Sequence, residues 1–239
     1  MAISDYLKIA HGVFMTISWG IFIVTGVLFA RHFRGYQTTY CGVKMWFSMH
    51  RALNSIGLVG IVLGALCIIA ATGSWEGPGI PLNGITAGMW HSFLGTIAII
   101  LAIVQPINAV FRCKEGSRKR KRFTWAHRII GFSSFALAMG TLLIAVTCFT
   151  RMFAHPTTAM VLVIVYIVTL VLSVGLKALI SYREWKINRA TPAGKIVFES
   201  DCAKKWKSAI LVTFLITAVG VCLALSVLII TRPIFSSSE

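Results

Sequence analysis

Six apolar runs of about 20 residues leave little room for any fold but a bundle of membrane-crossing helices. They cover Gly12–Ala30, Ala52–Ala71, Ser92–Phe111, Ile129–Phe149, Thr157–Ile180 and Ala209–Thr231. A helix of that length matches a hydrocarbon layer about 30 Å thick. It also satisfies its backbone polar groups internally, as lipid demands. A transmembrane barrel would need short segments of alternating polarity, and the sequence has none. Composition agrees: 57% of the 239 residues are hydrophobic and 13% are charged. The expected fold class is all-α, a six-transmembrane-helix bundle forming one domain over residues 1–239. The first residues, MAISDYLKIA, lack the pattern of a cleavable signal peptide.

The formal net charge of +16 raises nucleic acid as a partner, but its distribution argues against it. Eighteen of the 23 Lys and Arg residues fall after the first run, after the third, and from Lys177 near the end of the fifth to Lys207. Alternating helices put those three segments on one side. Arg51 and Arg128 stand at the same border, and the opposite side holds only Lys8, Arg151 and Arg232. Cytoplasmic loops carry the excess of Lys and Arg. The basic side is therefore expected to be cytoplasmic and both termini non-cytoplasmic, with some of the charge meeting anionic lipid. Within this basic side, 113–124 reads as a short loop. Residues 181–207 read either as a segment lying at the headgroups or as a solvated loop. The six cysteines show no CxxC spacing, so neither a zinc ribbon nor covalent c-type haem attachment is indicated.

Four of the six histidines occupy equivalent places. His11, His50, His91 and His127 each stand just before an apolar run, whereas His32 and His155 lie between runs. Helices one and three start on the same side, so His11 and His91 share it. His50 and His127 share the basic side. If the four helices bundle in order, each pair is diagonal and leaves the bundle centre between its imidazoles. A planar metal macrocycle with both axial positions filled suits that gap, and bis-histidine haem is the cofactor that fits. Bundle cores are recurrent sites for such groups.

A single histidine near a membrane interface often just reaches headgroups. Four in equivalent places, forming two same-side pairs, are harder to assign to chance. A metal or proton transporter would normally use carboxylates beside histidine. All seven here (Asp5, Glu76, Glu115, Glu184, Glu199, Asp201, Glu239) lie outside the apolar runs. Gly12, Gly57, Gly95 and Gly131 sit near the histidines on their helices. They either make room for a flat ring or serve ordinary helix packing. Asn54 and Asn108 are candidates to orient the imidazoles.

The stretches HGVFMTISWG, WFSMHRALNSIG, WHSFLGTIAIILAIVQPINA and FTWAHRIIGFSS resemble the cytochrome b561 family. The nearest type is the b561 domain of ferric-chelate reductase-like proteins of the stromal-cell-derived receptor kind. There the domain usually follows DOMON and reeler domains. Here only about ten residues precede the first histidine, which reads as a membrane-only relative or a shortened product. The resemblance implies a haem-binding core at about residues 8–150, made by helices one to four. The two extra helices follow at about 157–231.

The resemblance also implies two haem b groups and transmembrane electron transfer. His11 and His91 would ligate the non-cytoplasmic haem iron, and His50 and His127 the cytoplasmic one. The implied donor is cytosolic ascorbate, and the implied acceptor is a ferric chelate or monodehydroascorbate. Arg51 and Arg128 would stand beside the anionic cofactor and donor, with Lys44 and Lys121 extending that field. Trp90, Glu76 and His155 are the candidates near an outer acceptor. The expected activity is that of an ascorbate-dependent transmembrane oxidoreductase of ferrireductase type, in the plasma membrane or an endomembrane vesicle, with a homodimer as a compatible assembly. The competing readings are a non-enzymatic scaffold or receptor-like subunit partnering a separate outer domain, and an ion or metal transporter.

Overall fold

The computed structural model describes residues 2–33, 39–73, 86–111, 117–190 and 200–232. Six long helices run through them: α1 (Ile3–His32), α2 (Met45–Thr72), α3 (Ala87–Val110), α4 (Arg118–Cys148), α5 (Pro156–Ala190) and α6 (Asp201–Ile230). All six are long and apolar enough to cross a membrane. A two-stranded ribbon, β1 (Thr39–Tyr40) and β2 (Val43–Lys44), precedes α2. Its turn residues Cys41 and Gly42 both have positive φ, 50° and 75°, as a tight two-residue hairpin requires.

Local chemistry sets the helix starts. The Thr86, Ser117 and Ser200 hydroxyls accept from backbone N–H groups of the first turns of α3, α4 and α6, which is N-capping. The Ser117 cap corrects the expectation of a loop at 113–124. The basic run from Arg118 to Arg122 is the beginning of α4. Likewise, α5 continues as a helix to Ala190, and α6 already begins at Asp201. The described part of the expected 181–207 connection is therefore helical. His32 is the last residue of α1 rather than a loop residue.

Successive helices pack as three antiparallel hairpins, α1 with α2, α3 with α4, and α5 with α6. α1 also packs on α6, and α4 on α5, while α2 and α3 touch only sparsely. The inner faces meet in one core that includes Trp19, Ile61, Ala98, Val163, Phe214 and Leu225. The outward faces carry exposed apolar side chains such as Val59, Val171 and Ile216, the surface expected where lipid replaces water. Within α1, residues Ser18–Ile23 form a π-helical turn. Such a turn accommodates one extra residue in an otherwise regular helix.

The buried Tyr166 hydroxyl of α5 donates to the Gly20 carbonyl in this turn at 3.1 Å. Tyr166→Phe is expected to lower stability by about 1 kcal/mol. The measurement is equilibrium unfolding in mixed detergent micelles, where an unchanged midpoint would discount the bond.

Candidate functional site

The structure brings the four helix-borne histidines together in two pairs. His11 of α1 faces His91 of α3 with ring centres 6.3 Å apart and planes at 69°. His50 of α2 faces His127 of α4, also at 6.3 Å, with planes at 71°. The histidines lie within their helices rather than at the edges, because each helix starts earlier than its apolar run.

Backbone carbonyls orient three of the rings. His11 Nδ1 lies 2.9 Å from the Gly64 carbonyl, His50 Nδ1 lies 2.9 Å from that of Gly26, and His91 Nδ1 lies 3.1 Å from that of Thr141. A carbonyl can only accept, so Nδ1 carries the proton in each. Nε2 then keeps its lone pair for a metal. Asn54 donates its amide to the His50 carbonyl at 2.6 Å, with the same nitrogen 3.1 Å from Nδ1. The asparagine on helix two thus stands beside its histidine. Asn108 does not take the corresponding place on helix three. Gln105 does, donating to the His127 carbonyl at 3.1 Å.

These contacts reveal a common register. Gly64 follows His50 by fourteen residues, Gln105 follows His91 by fourteen, and Thr141 follows His127 by fourteen. Each helix therefore carries a histidine at one level and, about 21 Å along its axis, a contact to the histidine of its hairpin neighbour, which belongs to the other pair. Fourteen residues are close to four turns, so both points share one face. In α1, Gly26 follows His11 by fifteen residues, and the π-helical turn lies between them. The turn absorbs the additional residue and returns Gly26 to the face that meets His50.

Distance decides what can lie between the rings. Two imidazoles joined by a direct hydrogen bond would have centres about 5 Å apart. Two imidazoles on one metal, with bonds of about 2.0 Å and ligating nitrogens about 1.1 Å from their ring centres, would have them about 6.2 Å apart. Both pairs match the second arrangement. Among the described residues no group of three or more His, Cys, Asp and Glu could hold a metal ion. Each pair can offer two imidazole nitrogens to a metal whose other positions are filled by another group.

A cavity of about 650 Å³ surrounds the His11–His91 pair. Gly12 and Gly95 line it, and Gly12 also packs against α6, where a Cβ would lie 3.3 Å from Ile229. Gly57 serves helix packing instead, since a Cβ there would lie 2.8 Å from Ile23. Phe149 also lines the cavity and meets His91 edge-on with ring centres 5.2 Å apart. At the other level, Phe123 stacks on His127 at 6.0 Å.

Two cations also stand beside the His11–His91 pair. Lys8 and Arg232 both line the cavity. The Arg232 side chain is 8% exposed and lies 3.7 Å from Asp5, while its buried Nε has no hydrogen-bond partner. A buried guanidinium with a spare donor suits an acid group in that cavity. Its place in the chain, at the end of helix six, gave no signal.

The remaining candidates are dispersed. Arg51 and Arg128 are exposed at the end of the bundle that holds His50 and His127, with Arg51 over the Phe47 ring at 5.6 Å. Lys44 is exposed at the N-cap of α2, and Lys121 is exposed on α4. Trp90 precedes His91 and is 46% exposed, in edge contact with Phe93. His155 is exposed just before α5. Glu76 lies outside the described residues.

The family model of eukaryotic cytochrome b561 matches residues 10–154, a range that contains all four paired histidines. Ferric-chelate reductase 1 of Mus musculus is 31% identical over 143 residues, covering 58% of this chain and 22% of that protein. Ferric-chelate reductase 1 of Homo sapiens is 29% identical over 134 residues, covering 55% of this chain and 21% of that protein. A cytochrome b561 and DOMON domain-containing protein of Arabidopsis thaliana is 26% identical over 136 residues, covering 57% and 33%. The chain thus spans a fifth to a third of the length of these curated relatives. No solved structure matches it. The family match extends over more than half of a six-helix membrane chain, and the chain belongs to the eukaryotic cytochrome b561 family, which implies b-type haem.

Proposed function

We propose that this chain carries electrons across a membrane, from ascorbate on the basic face to a ferric chelate or monodehydroascorbate on the other. In this reading His11 with His91, and His50 with His127, hold two b-type haems. The observation that supports it most is the pair of 6.3 Å imidazole spacings on two levels of one bundle. Each bound haem supplies a one-electron carrier.

The residues of the chain do the rest. The carbonyls of Gly64, Gly26 and Thr141 accept from Nδ1, which would leave Nε2 free to hold an iron. The apolar core keeps water and ions out of the interior. Arg232 and Lys8 offer positive charge to the acid groups of the cofactor on one level. Arg51 and Arg128 offer it on the other, where an anionic donor would dock. The basic face is read as cytoplasmic by the excess of Lys and Arg in its loops.

The test is an optical spectrum of detergent-purified protein with haem counted per chain, before and after ascorbate. Two b-type haems reduced by ascorbate are expected. A chain purified without haem, after expression with haem supplied, would sink the reading. Replacing Arg51 and Arg128 together by Gln is expected to raise the KM for ascorbate about tenfold through lost charge-assisted contacts. Haem content should stay at two. An unchanged KM would move the donor site elsewhere.

A further inference from the structure

The contacts around the four histidines leave one acceptor without a use. Gln105 of α3 lies against the turn of α4 that carries His127. Its amide nitrogen donates to the His127 backbone carbonyl at 3.1 Å, while its Oε1 is buried and accepts no hydrogen bond. An amide oxygen shut away from water without a donor is costly, and the cost calls for a donor nearby.

Three observations point to the His127 ring. The first is the register of the hairpin. His91 Nδ1 donates to the carbonyl of Thr141, fourteen residues past His127. The residue fourteen past His91 is Gln105, and it faces His127. His11 and His50 have their counterparts in the carbonyls of Gly64 and Gly26. The second is the inventory of donors on α4. Thr124 and Ser134, on either side of His127, already donate to the carbonyls of Arg120 and Ala98. The third is room. A Cβ on Gly131, one turn past His127, would lie 3.2 Å from Gln105 Nε2 and 3.6 Å from its Cδ. The missing side chain lets the amide lie against α4. Pro106 follows Gln105 inside α3. A proline there interrupts the backbone ladder, and a side-chain carbonyl is an acceptor that does not depend on that ladder.

We infer that Gln105 is the positioning residue of His127, with Oε1 accepting from His127 Nδ1–H. One side-chain amide then holds the residue at two points and leaves Nε2 for a metal. The inference rests on the proposed haem between His50 and His127. A stronger acceptor at Nδ1 makes the imidazole a more basic ligand, which favours oxidised iron. A missing acceptor does the reverse. Side chain 105 therefore tunes the reduction potential at the basic face, where backbone carbonyls fix it for the other three histidines.

The test is an optical redox titration of the full chain with haem bound. Gln105→Leu and Gln105→Glu are compared with the parent at pH 9, which keeps the carboxyl ionised. Both variants lose the N–H donated to the His127 carbonyl, so the structural effect of that bond is common to them. They differ in the acceptor. Gln105→Leu should raise the midpoint of the haem that His127→Ala removes, and Gln105→Glu should lower it. Their reduction equilibria should differ at least about tenfold, or about 59 mV for one electron. The other haem should stay where it is. Shifts in the same direction, or none, overturn the assignment and leave the two-haem reading intact. A parent chain that binds no haem overturns both. Should Gln105→Leu not retain that haem, Gln105→Glu decides alone. A lowered midpoint then supports the assignment, and an unchanged or raised one overturns it.

Discussion

If the proposed ligation holds, His91→Ala is expected to leave the chain with one haem instead of two. His91 is one of two rings that face each other at 6.3 Å, and its removal takes half the coordination from that level. The His50–His127 pair is built from other side chains, about 21 Å away along the helices, so its haem stays. Haem per chain, read from the spectrum of purified protein, should therefore halve. Electron transfer across sealed vesicles should fall at least about 100-fold, because the remaining path crosses most of a layer about 30 Å thick. His127→Ala should remove the complementary half. His155→Ala, at an exposed position before α5, should change neither quantity. Two haems retained in both His91→Ala and His127→Ala would end the ligand assignment.

Deleting a single residue has opposite consequences in α1 and α2. The partner contacts recur at fourteen residues in α2, α3 and α4, and at fifteen in α1 across its π-helical turn. Removing Ile21 lets α1 continue as a regular α-helix with fourteen residues between His11 and Gly26. Both histidine levels survive, and the loss of the Tyr166 bond to Gly20 costs about 1 kcal/mol. Removing Val62 shortens the α2 register to thirteen and turns everything beyond it by about 100°. Gly64 then no longer meets His11. At least one haem per chain should be lost. Haem counts on the two deletions, expressed side by side, decide the matter. Equal loss in both would mean that the π-helical turn is not a register device.

Much of this was legible in the residues. Hydrophobic length alone specifies helices that cross a membrane, because lipid admits few alternatives. The diagonal pairing of His11 with His91, and of His50 with His127, follows from alternating helix direction. What orients the imidazoles was not legible, since a backbone carbonyl such as that of Gly26, Gly64 or Thr141 leaves no signature in a sequence. Gln105 could have been found from its fourteen-residue distance to His91, once that repeat was known. Arg232 could not, because only the packing of α6 on α1 carries it into the cavity. The run Arg118–Arg122 looked like a loop because its charge outweighed the helix-starting signal of Ser117.

The separation of the two histidine levels has an electrical consequence. About 21 Å of a layer about 30 Å thick is roughly two-thirds of the membrane field. An electron moving between the levels therefore senses that share of the transmembrane voltage. At about 2.3 kcal/mol per charge per 100 mV for the whole span, the share is about 1.6 kcal/mol, or about fifteenfold in the equilibrium. A negative potential on the basic side would drive electrons outward, and a reversed potential would hold them back. Potassium diffusion potentials imposed on sealed vesicles should shift the balance of reduction between the levels by that amount. A balance indifferent to voltage would mean that the field drops elsewhere.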